Sequence, residues 1–234
     1  FEYYASTQLV VVSIPDGESR PLGKPGLYAE VSRSPDGMHW LVDRLLKPFS
    51  HSVPVELFAH RYEIWHANGI SEKTLADLPD QELVPIRGVP LGMRAVHWQP
   101  LASATLSWFE ALDGGDPLAT ATHRDRLMSW PSPFTTLPLE LTRLPERSWG
   151  IDYLTSPGFA LLKDHNLETQ WDRTWLFDCR RPASLSLELG HSATGTTPLL
   201  FSLSGKDAYN APGQPVWVTQ PDGQTLVRQD GDWM

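Results

Sequence analysis

The sequence contains a single cysteine, Cys179, among its 234 residues, so no disulfide can form within the chain and the redox compartment stays open. We interpret this thiol, in the segment TWLFDCRR, as a residue at a strand end rather than a nucleophile. Long apolar runs are also missing. The longest, LVVVSI, is only as long as a strand, whereas a membrane span needs roughly 18 apolar residues. We therefore expect no membrane partner.

Positive charge is scarce and scattered. The chain has 19 Lys and Arg against 28 Asp and Glu, and its formal net charge is -9. Without a basic patch, no surface can release counterions from a phosphate backbone. We expect no nucleic-acid partner.

Motifs that bind metals or cofactors are absent as well. The eight histidines show no H-x-x-x-H spacing, and neither an H-E-x-x-H helix nor a glycine-rich phosphate loop occurs. A near match to a nucleophile elbow, GHSAT around Ser192, fails because Thr194 stands where the motif needs glycine. The prolines and glycines that follow exclude the helix that an elbow requires. The sequence therefore predicts no metal, no cofactor and no catalytic residue, and Ser192 is interpreted as part of a polar turn.

Tryptophan, proline and glycine are abundant, at 10, 21 and 17 residues, and they alternate with short apolar runs along the whole length. This pattern is typical of β-sheets separated by turns. Helical periodicity is weak and predicts at most a two-turn helix over SEKTLADL, residues 71–78. Strands are predicted over residues 8–14, 39–44, 62–66, 95–98, 105–111, 150–154, 159–163, 174–177, 216–219 and 225–228.

A unit of about sixty residues recurs. Each unit begins with a hairpin whose turn contains a proline, and a further strand follows. The turn prolines Pro35, Pro100, Pro157 and Pro221 are separated by 65, 57 and 64 residues. Repetition in this order predicts an all-β fold. We expect residues 1–234 to form a partial β-propeller built of antiparallel sheet blades, with about three to four blade-like units. A two-sheet sandwich is the alternative.

Several segments resemble the N-terminal propeller of serine peptidases of the prolyl oligopeptidase type, and most of all their glutamyl endopeptidase branch. They are FEYYASTQLVVVSIPDG, PLGKPGLYAEVSRSPDGMHWLV, KPFSHSVPVELF, EIWHANG, WFEALDGGDP, HRDRLMSW and RTWLFD, continued by DAYNAPGQPVWVT and LVRQDGD. The resemblance implies a two-part peptidase whose α/β-hydrolase domain is absent from these residues. It implies that the propeller is non-catalytic, covers the active site and restricts peptide access. The start at Phe1 suggests a chain cut from a longer one.

Two other functions stay open: a free-standing propeller that binds peptides or glycans, and a five-bladed glycosidase with paired carboxylates, for which no acidic pair stands out. The expected partners are the hydrolase domain of the parent chain and peptide substrates. The chain is also expected to self-associate through open sheet edges such as QLVVVSI.

Glu110, Asp113 and Asp116, around Gly114-Gly115, form an acidic cluster in the most specific of the resembling segments. These three residues are the candidates for contacting a basic group of a peptide. The structural alternative, which we favour, is a turn whose carboxylates hold its own backbone. The strand tryptophans Trp40, Trp65, Trp98, Trp108 and Trp175 are predicted to lie in the core.

Overall fold

The computed structural model describes residues 1–180, 198–231 and 233–234. It is all-β, with 49% of residues in strands and 3% in helices. Helix α1 (Glu2–Ala5) and a 3-10 turn (Val55–Leu57) are the helical elements within these residues. None of the described helices has the length and apolar character needed to cross a bilayer. By its contacts the chain divides into two compact units, Phe1–Ile86 and Arg87–Met234.

The first unit contains two antiparallel sheets. A two-stranded sheet is formed by β1 (Thr7–Val12) and β2 (Ser19–Gly26). The second sheet has four strands in sequence order, namely β3 (Tyr28–Arg33), β4 (His39–Leu45), β5 (His60–His66) and β6 (Ser71–Leu78).

The second unit repeats this arrangement twice and adds a hairpin. Its first sheet consists of β7 (Arg94–Trp98), β8 (Thr105–Ala111), β9 (Asp125–Pro131) and β10 (Leu139–Leu144). The next consists of β11 (Arg147–Tyr153), β12 (Phe159–Asn166), β13 (Trp171–Asp178) and β14 (Leu199–Ser204). The closing hairpin pairs β15 (Trp217–Thr219) with β16 (Thr225–Val227).

The predicted hairpins are confirmed. Pro35, Pro100 and Pro157 lie in the turn between the first and second strands of the three four-stranded sheets, and Pro221 lies in the β15–β16 turn. In the first of these turns the Asp36 carboxylate accepts hydrogen bonds from the Ser34 hydroxyl and the Met38 backbone N–H. Local turn chemistry therefore closes the first hairpin, and a proline-containing turn stands at the same place in the strand order of all three sheets. Each of the ten predicted strands overlaps an observed one.

The helix predicted over residues 71–78 is wrong, because this segment is the edge strand β6. It pairs with β5 along its whole length, from Ser71 opposite Trp65 to Leu78 opposite His60. Eight residues with weak helical preference cannot outweigh pairing with β5, which continues through two register shifts. Sequence analysis also missed β2, whose two prolines are tolerated because it lies at a sheet edge, and the outer strands β10 and β14.

Tryptophans supply much of the core, as predicted. Trp65, Trp98, Trp108 and Trp175 are buried, whereas Trp40 is half-buried and packs on a cluster around Val42. In the second unit a larger cluster lies between the sheets β7–β10 and β11–β14. Its members are Phe109, Leu127, Leu141, Leu144, Leu162, Trp175 and Phe177.

Candidate functional site

The acidic cluster lies in and beside the loop that connects β8 to β9. Gly114 and Gly115 both have positive φ, +71° and +74°. The Asp113 carboxylate accepts a hydrogen bond from the Gly115 N–H at 3.0 Å, and the Gly115 carbonyl accepts one from the Val89 N–H at 3.0 Å. A Cβ on Gly115 would overlap the carbonyl oxygen of Val89. The double-glycine turn is therefore locked to the segment before β7, and residue 115 must be glycine.

Asp113 points inward rather than toward solvent. Its side chain is fully buried and is bound by Arg124 Nη1 at 2.8 Å and Arg147 Nη2 at 2.6 Å. Burial opposes ionisation, but the hydrogen bonds donated by Arg147 and Arg124 outweigh it and hold the pKa of Asp113 below its usual value. Asp113 is therefore ionised at neutral pH, and its carboxylate is bound by two arginines of the protein itself.

Arg147 also binds a second buried carboxylate. Its Nη1 lies 2.6 Å from Asp125 Oδ1, and Arg94 Nη2 lies at the same distance from that oxygen. The other Asp125 oxygen accepts a hydrogen bond from the Ser148 backbone N–H at 2.7 Å. Arg147 stands at the start of β11 and Asp125 at the start of β9, so this buried ion-pair network joins the two sheets of the second unit. Hydrogen bonds to Asp113 and Asp125 keep the pKa of Arg147 above its usual value against the effect of burial.

Glu110 has separate partners. One carboxylate oxygen accepts hydrogen bonds from Arg126 Nη2 at 2.6 Å and Nε at 2.9 Å, and the other accepts one from the Trp108 indole at 2.7 Å. Asp116 is half-buried and accepts a hydrogen bond from the Leu118 backbone N–H at 2.9 Å. The three candidate residues therefore engage groups of the protein itself, and Asp113 and Asp116 hold the backbone of the loop. A peptide contact by Glu110, Asp113 or Asp116 stays a prediction.

Of the two possible nucleophiles considered from sequence, Cys179 lies within the described residues and Ser192 does not. Cys179 directly follows β13 and is half-buried, and burial raises the pKa of its thiol to about 12. A thiol with this pKa is protonated at neutral pH and is a poor nucleophile. Ser192 and His191 lie outside the described residues.

Several histidines pair with acidic or phenolic groups. His60 Nδ1 lies 2.8 Å from Asp43 Oδ1, and this hydrogen bond raises the pKa of His60 despite burial. His97 Nε2 lies 2.9 Å from the Tyr153 hydroxyl, and burial lowers the pKa of His97. Within the described ranges, no three His, Cys, Asp or Glu side chains are grouped so that they could hold a metal ion.

Sequence analysis missed Arg94, Arg124, Asp125 and Arg147. Each of these charged residues lies at or beside a strand end, which the sequence could have shown. A charge at such a position does not by itself tell whether the side chain forms a buried ion pair or is solvated.

Comparison with known proteins found similarity to plant peptidases. The chain is 31% identical over 221 residues to the probable chloroplastic glutamyl endopeptidase of Oryza sativa subsp. japonica, a match that covers 92% of the chain and 22% of that protein. It is 33% identical over 231 residues to the probable chloroplastic glutamyl endopeptidase of Arabidopsis thaliana, covering 97% of the chain and 22% of that protein. No family model and no solved structure matches. Over nearly its whole length, the chain is therefore similar to about one fifth of proteins that are named glutamyl endopeptidases.

Proposed function

We propose that this chain is a non-catalytic β-propeller segment of a serine peptidase of the prolyl oligopeptidase type, and that it covers the active site and restricts peptide access. The observation that carries the proposal is the similarity to glutamyl endopeptidases over 92% and 97% of the chain. The fold supports it, because three four-stranded antiparallel sheets repeat one strand order and one proline-containing hairpin. Antiparallel sheets in regular repetition are typical of propeller blades.

The proposed covering role requires sheets that keep their mutual positions. A filter excludes large substrates only if the gaps between its elements stay closed. In the second unit, the buried ion-pair network and the cluster around Trp175 both hold β7–β10 against β11–β14. Arg147 is the residue on which this joint depends most, since it binds both Asp113 and Asp125.

The experiment uses the full-length polypeptide with a short and a long glutamate-containing peptide. Arg147→Met loosens the joint, so we expect the ratio of kcat/KM for the long peptide to that for the short peptide to rise severalfold. Arg143→Met is the matched control, because Arg143 is exposed and, among the residues that the structure describes, its ion pair is with Glu140 of the same strand. An unchanged ratio in a variant with the loosened joint would contradict the covering role.

The isolated chain provides a second test. We expect no turnover of a general peptidase substrate by residues 1–234, with Ser192→Ala as the control. Turnover that this substitution abolishes would show that the segment is itself catalytic. Tight binding of a peptide or glycan by the isolated chain would favour the free-standing binding module instead.

If the acidic cluster contacts a peptide in addition to holding its own loop, Asp116 is the residue that we propose for the contact. Asp113 is buried between two arginines, and both oxygens of Glu110 accept hydrogen bonds. Asp116→Asn in the full-length polypeptide should raise KM for a peptide with a basic group and leave KM for a neutral peptide unchanged. Equal effects on the two peptides would remove Asp116 from the contact.

A further inference from the structure

The sheets β7–β10 and β11–β14 are joined at both ends of their first strands, and the two joints differ in chemistry. At the starts of β7 and β11, the buried ion-pair network links Arg94 and Arg147 through Asp125. At the other ends of these strands, His97 of β7 contacts Tyr153 of β11, with His97 Nε2 2.9 Å from the phenol oxygen. The first joint is ionic, and the second is a hydrogen bond between an imidazole and a phenol.

Hydrogen bonds fix where the protons of the second joint lie. His97 Nδ1 is 2.7 Å from the Ala95 carbonyl oxygen, which can only accept, so this nitrogen carries a hydrogen. Burial lowers the pKa of His97, so the ring is neutral at neutral pH and its Nε2 accepts a hydrogen bond from the Tyr153 hydroxyl. Tyr153 is itself buried, which raises the pKa of its phenol and keeps it a donor.

Three further side chains hold the Tyr153 hydroxyl in this direction. Ser107 donates a hydrogen bond to the Tyr153 oxygen, and Gln99 Nε2 donates one to Ser107 Oγ at 2.7 Å. Gln99 also donates to Ser129 Oγ at 3.0 Å, and Gln99, Ser107 and Ser129 are all buried. The series of donors that runs from Gln99 through Ser107 and Tyr153 therefore ends at Nε2 of His97.

A second proton on His97 would reverse this arrangement. The protonated Nε2 becomes a donor and faces the hydroxyl hydrogen of Tyr153, so the phenol must turn its hydrogen away from its acceptor. Tyr153 and the Cys179 thiol, which packs with it, are both uncharged at acidic pH. Among the residues that the structure describes, no acidic side chain shifts the pKa of His97. Protonation therefore places an uncompensated charge and an unsatisfied hydroxyl between the sheets.

The same end of the joint is loosely packed. A cleft of about 230 Å³ lies between the turn after β7 and the turn after β11, and Gln99, Tyr153 and Cys179 line it. Arg180 also lines the cleft, and its charge is bound by both oxygens of Asp178. Protein interiors have few voids larger than a water molecule, so this end can admit water and yield. At the other end, the carboxylates of the ion-pair network are fully buried.

We propose that the contact between His97 and Tyr153 is an acid-sensitive latch, which releases one end of the joint between the two sheets while the ion-pair network still holds the other end. One proton on an imidazole breaks the latch, whereas the network weakens only when a carboxylate is protonated. The pKa of Asp113 is held below 3.8, so mild acid leaves its contacts with the arginines in place. The proposal rests on the joint itself and not on the proposed peptidase function.

The first experiment observes the His97 ring by NMR in residues 1–234, with His97→Gln used to assign its signals. We expect the tautomer with hydrogen on Nδ1 at neutral pH and a pKa below 6.5. Tyr153→Phe removes the hydroxyl that favours the neutral ring, so it should raise this pKa. The other tautomer, a pKa of 6.5 or above, or a pKa that Tyr153→Phe leaves unchanged would overturn the latch.

The second experiment uses Cys179 as a reporter of opening, because its thiol packs with Tyr153 and lines the cleft. The rate of its reaction with dithiodipyridine is measured at about pH 7.5 and about pH 5.5, each relative to a small free thiol, which corrects for thiol ionisation. We expect the relative rate to rise at least about threefold at the lower pH, since an opening that binds one proton is favoured by up to about tenfold per pH unit.

Two variants show whether His97 causes this rise. His97→Gln keeps an acceptor for the Tyr153 hydroxyl but cannot titrate, so its relative rate should be the same at both pH values. His51→Gln is the matched control, because His51 is exposed, and it should behave as wild type. An equal rise in wild type and His97→Gln would overturn the proposal. Cooperative loss of the native tryptophan fluorescence over the same pH range would also overturn it, because the whole unit would then open in one step.

Discussion

Replacing Arg147 by methionine should destabilise the second unit by about 3 kcal/mol. The substitution removes the contacts of Arg147 with Asp113 and Asp125, both at 2.6 Å, and a hydrogen bond to the Arg124 carbonyl at 3.1 Å. Breaking a buried ion pair costs about 3–5 kcal/mol when it strands a charge. Here Asp113 keeps Arg124 and Asp125 keeps Arg94, so the lower end of that range applies. At about 2–4 °C per kcal/mol, Tm should fall by roughly 6–12 °C.

The loss of stability caused by Arg147→Met should depend on pH in a definite direction. The pKa of Asp113 is lowered in the folded protein, so its contribution to stability is present above the unfolded pKa near 3.8 and is lost as pH falls through the folded pKa. The difference between wild type and Arg147→Met should therefore be full at neutral pH and shrink as pH falls below the unfolded pKa of Asp113 near 3.8.

Urea unfolding followed by tryptophan fluorescence at several pH values measures both effects, with Arg143→Met as the control. The exposed Arg143–Glu140 pair is worth under about 1 kcal/mol. A loss of unfolding free energy for Arg147→Met no larger than that of the control would refute the stabilising role of the buried ion-pair network. So would a loss that stays the same as pH is lowered from neutral to the acid limit at which the protein remains folded.

Three further predictions concern other parts of the chain. Gly114→Ala should lower the free energy of unfolding by about 1–2 kcal/mol, because alanine is strained at positive φ. Gly115→Ala should lower it clearly more, because a Cβ there would also meet the backbone of Val89. Equal losses in urea unfolding would be inconsistent with the locked turn. Asp43→Asn should lower the pKa of His60, because it removes the carboxylate that binds the imidazole. The resulting loss of stability should be greatest below pH 6.5 and should disappear as pH rises through the folded pKa of His60. An NMR titration of His60 that is unchanged by the substitution would exclude the pairing. If the β1 edge mediates self-association, Val10→Lys or Val12→Lys should reduce the association measured by light scattering, because these side chains are 55% and 54% exposed. Val11→Lys is unsuitable, since Val11 packs on the core. A strictly monomeric wild type would show that the chain does not self-associate.

Much of the fold could be predicted because its signals are local. The turn around Pro35, Asp36 and Gly37 specifies a hairpin without help from the rest of the chain. Alternation with β-branched and aromatic residues then places the central strands β4, β8 and β12. The edge strand β6 has no such signal, because its register comes from β5 and its composition fits a helix equally well.

The site was less predictable because its partners are distant in sequence. Asp113 and Arg147 are separated by 34 positions, and their contact depends on how two sheets pack. From sequence, a carboxylate beside two glycines indicates a turn, and the structure shows that its backbone is indeed held this way. No local pattern tells that the same carboxylate also anchors a neighbouring sheet.

The sequential order of strands has a consequence for how the chain folds. In all three four-stranded sheets, each strand hydrogen-bonds to the strands adjacent to it in sequence, so that a sheet can form from one continuous segment. Low sequence separation of contacts favours fast folding, and during synthesis each sheet can assemble soon after its segment leaves the ribosome. The contacts of Arg147 form only after the β7–β10 segment and the start of β11 are both in place. Substitutions at Arg147 should therefore leave the folding of individual sheets almost unchanged and act on the later step in which neighbouring sheets are joined.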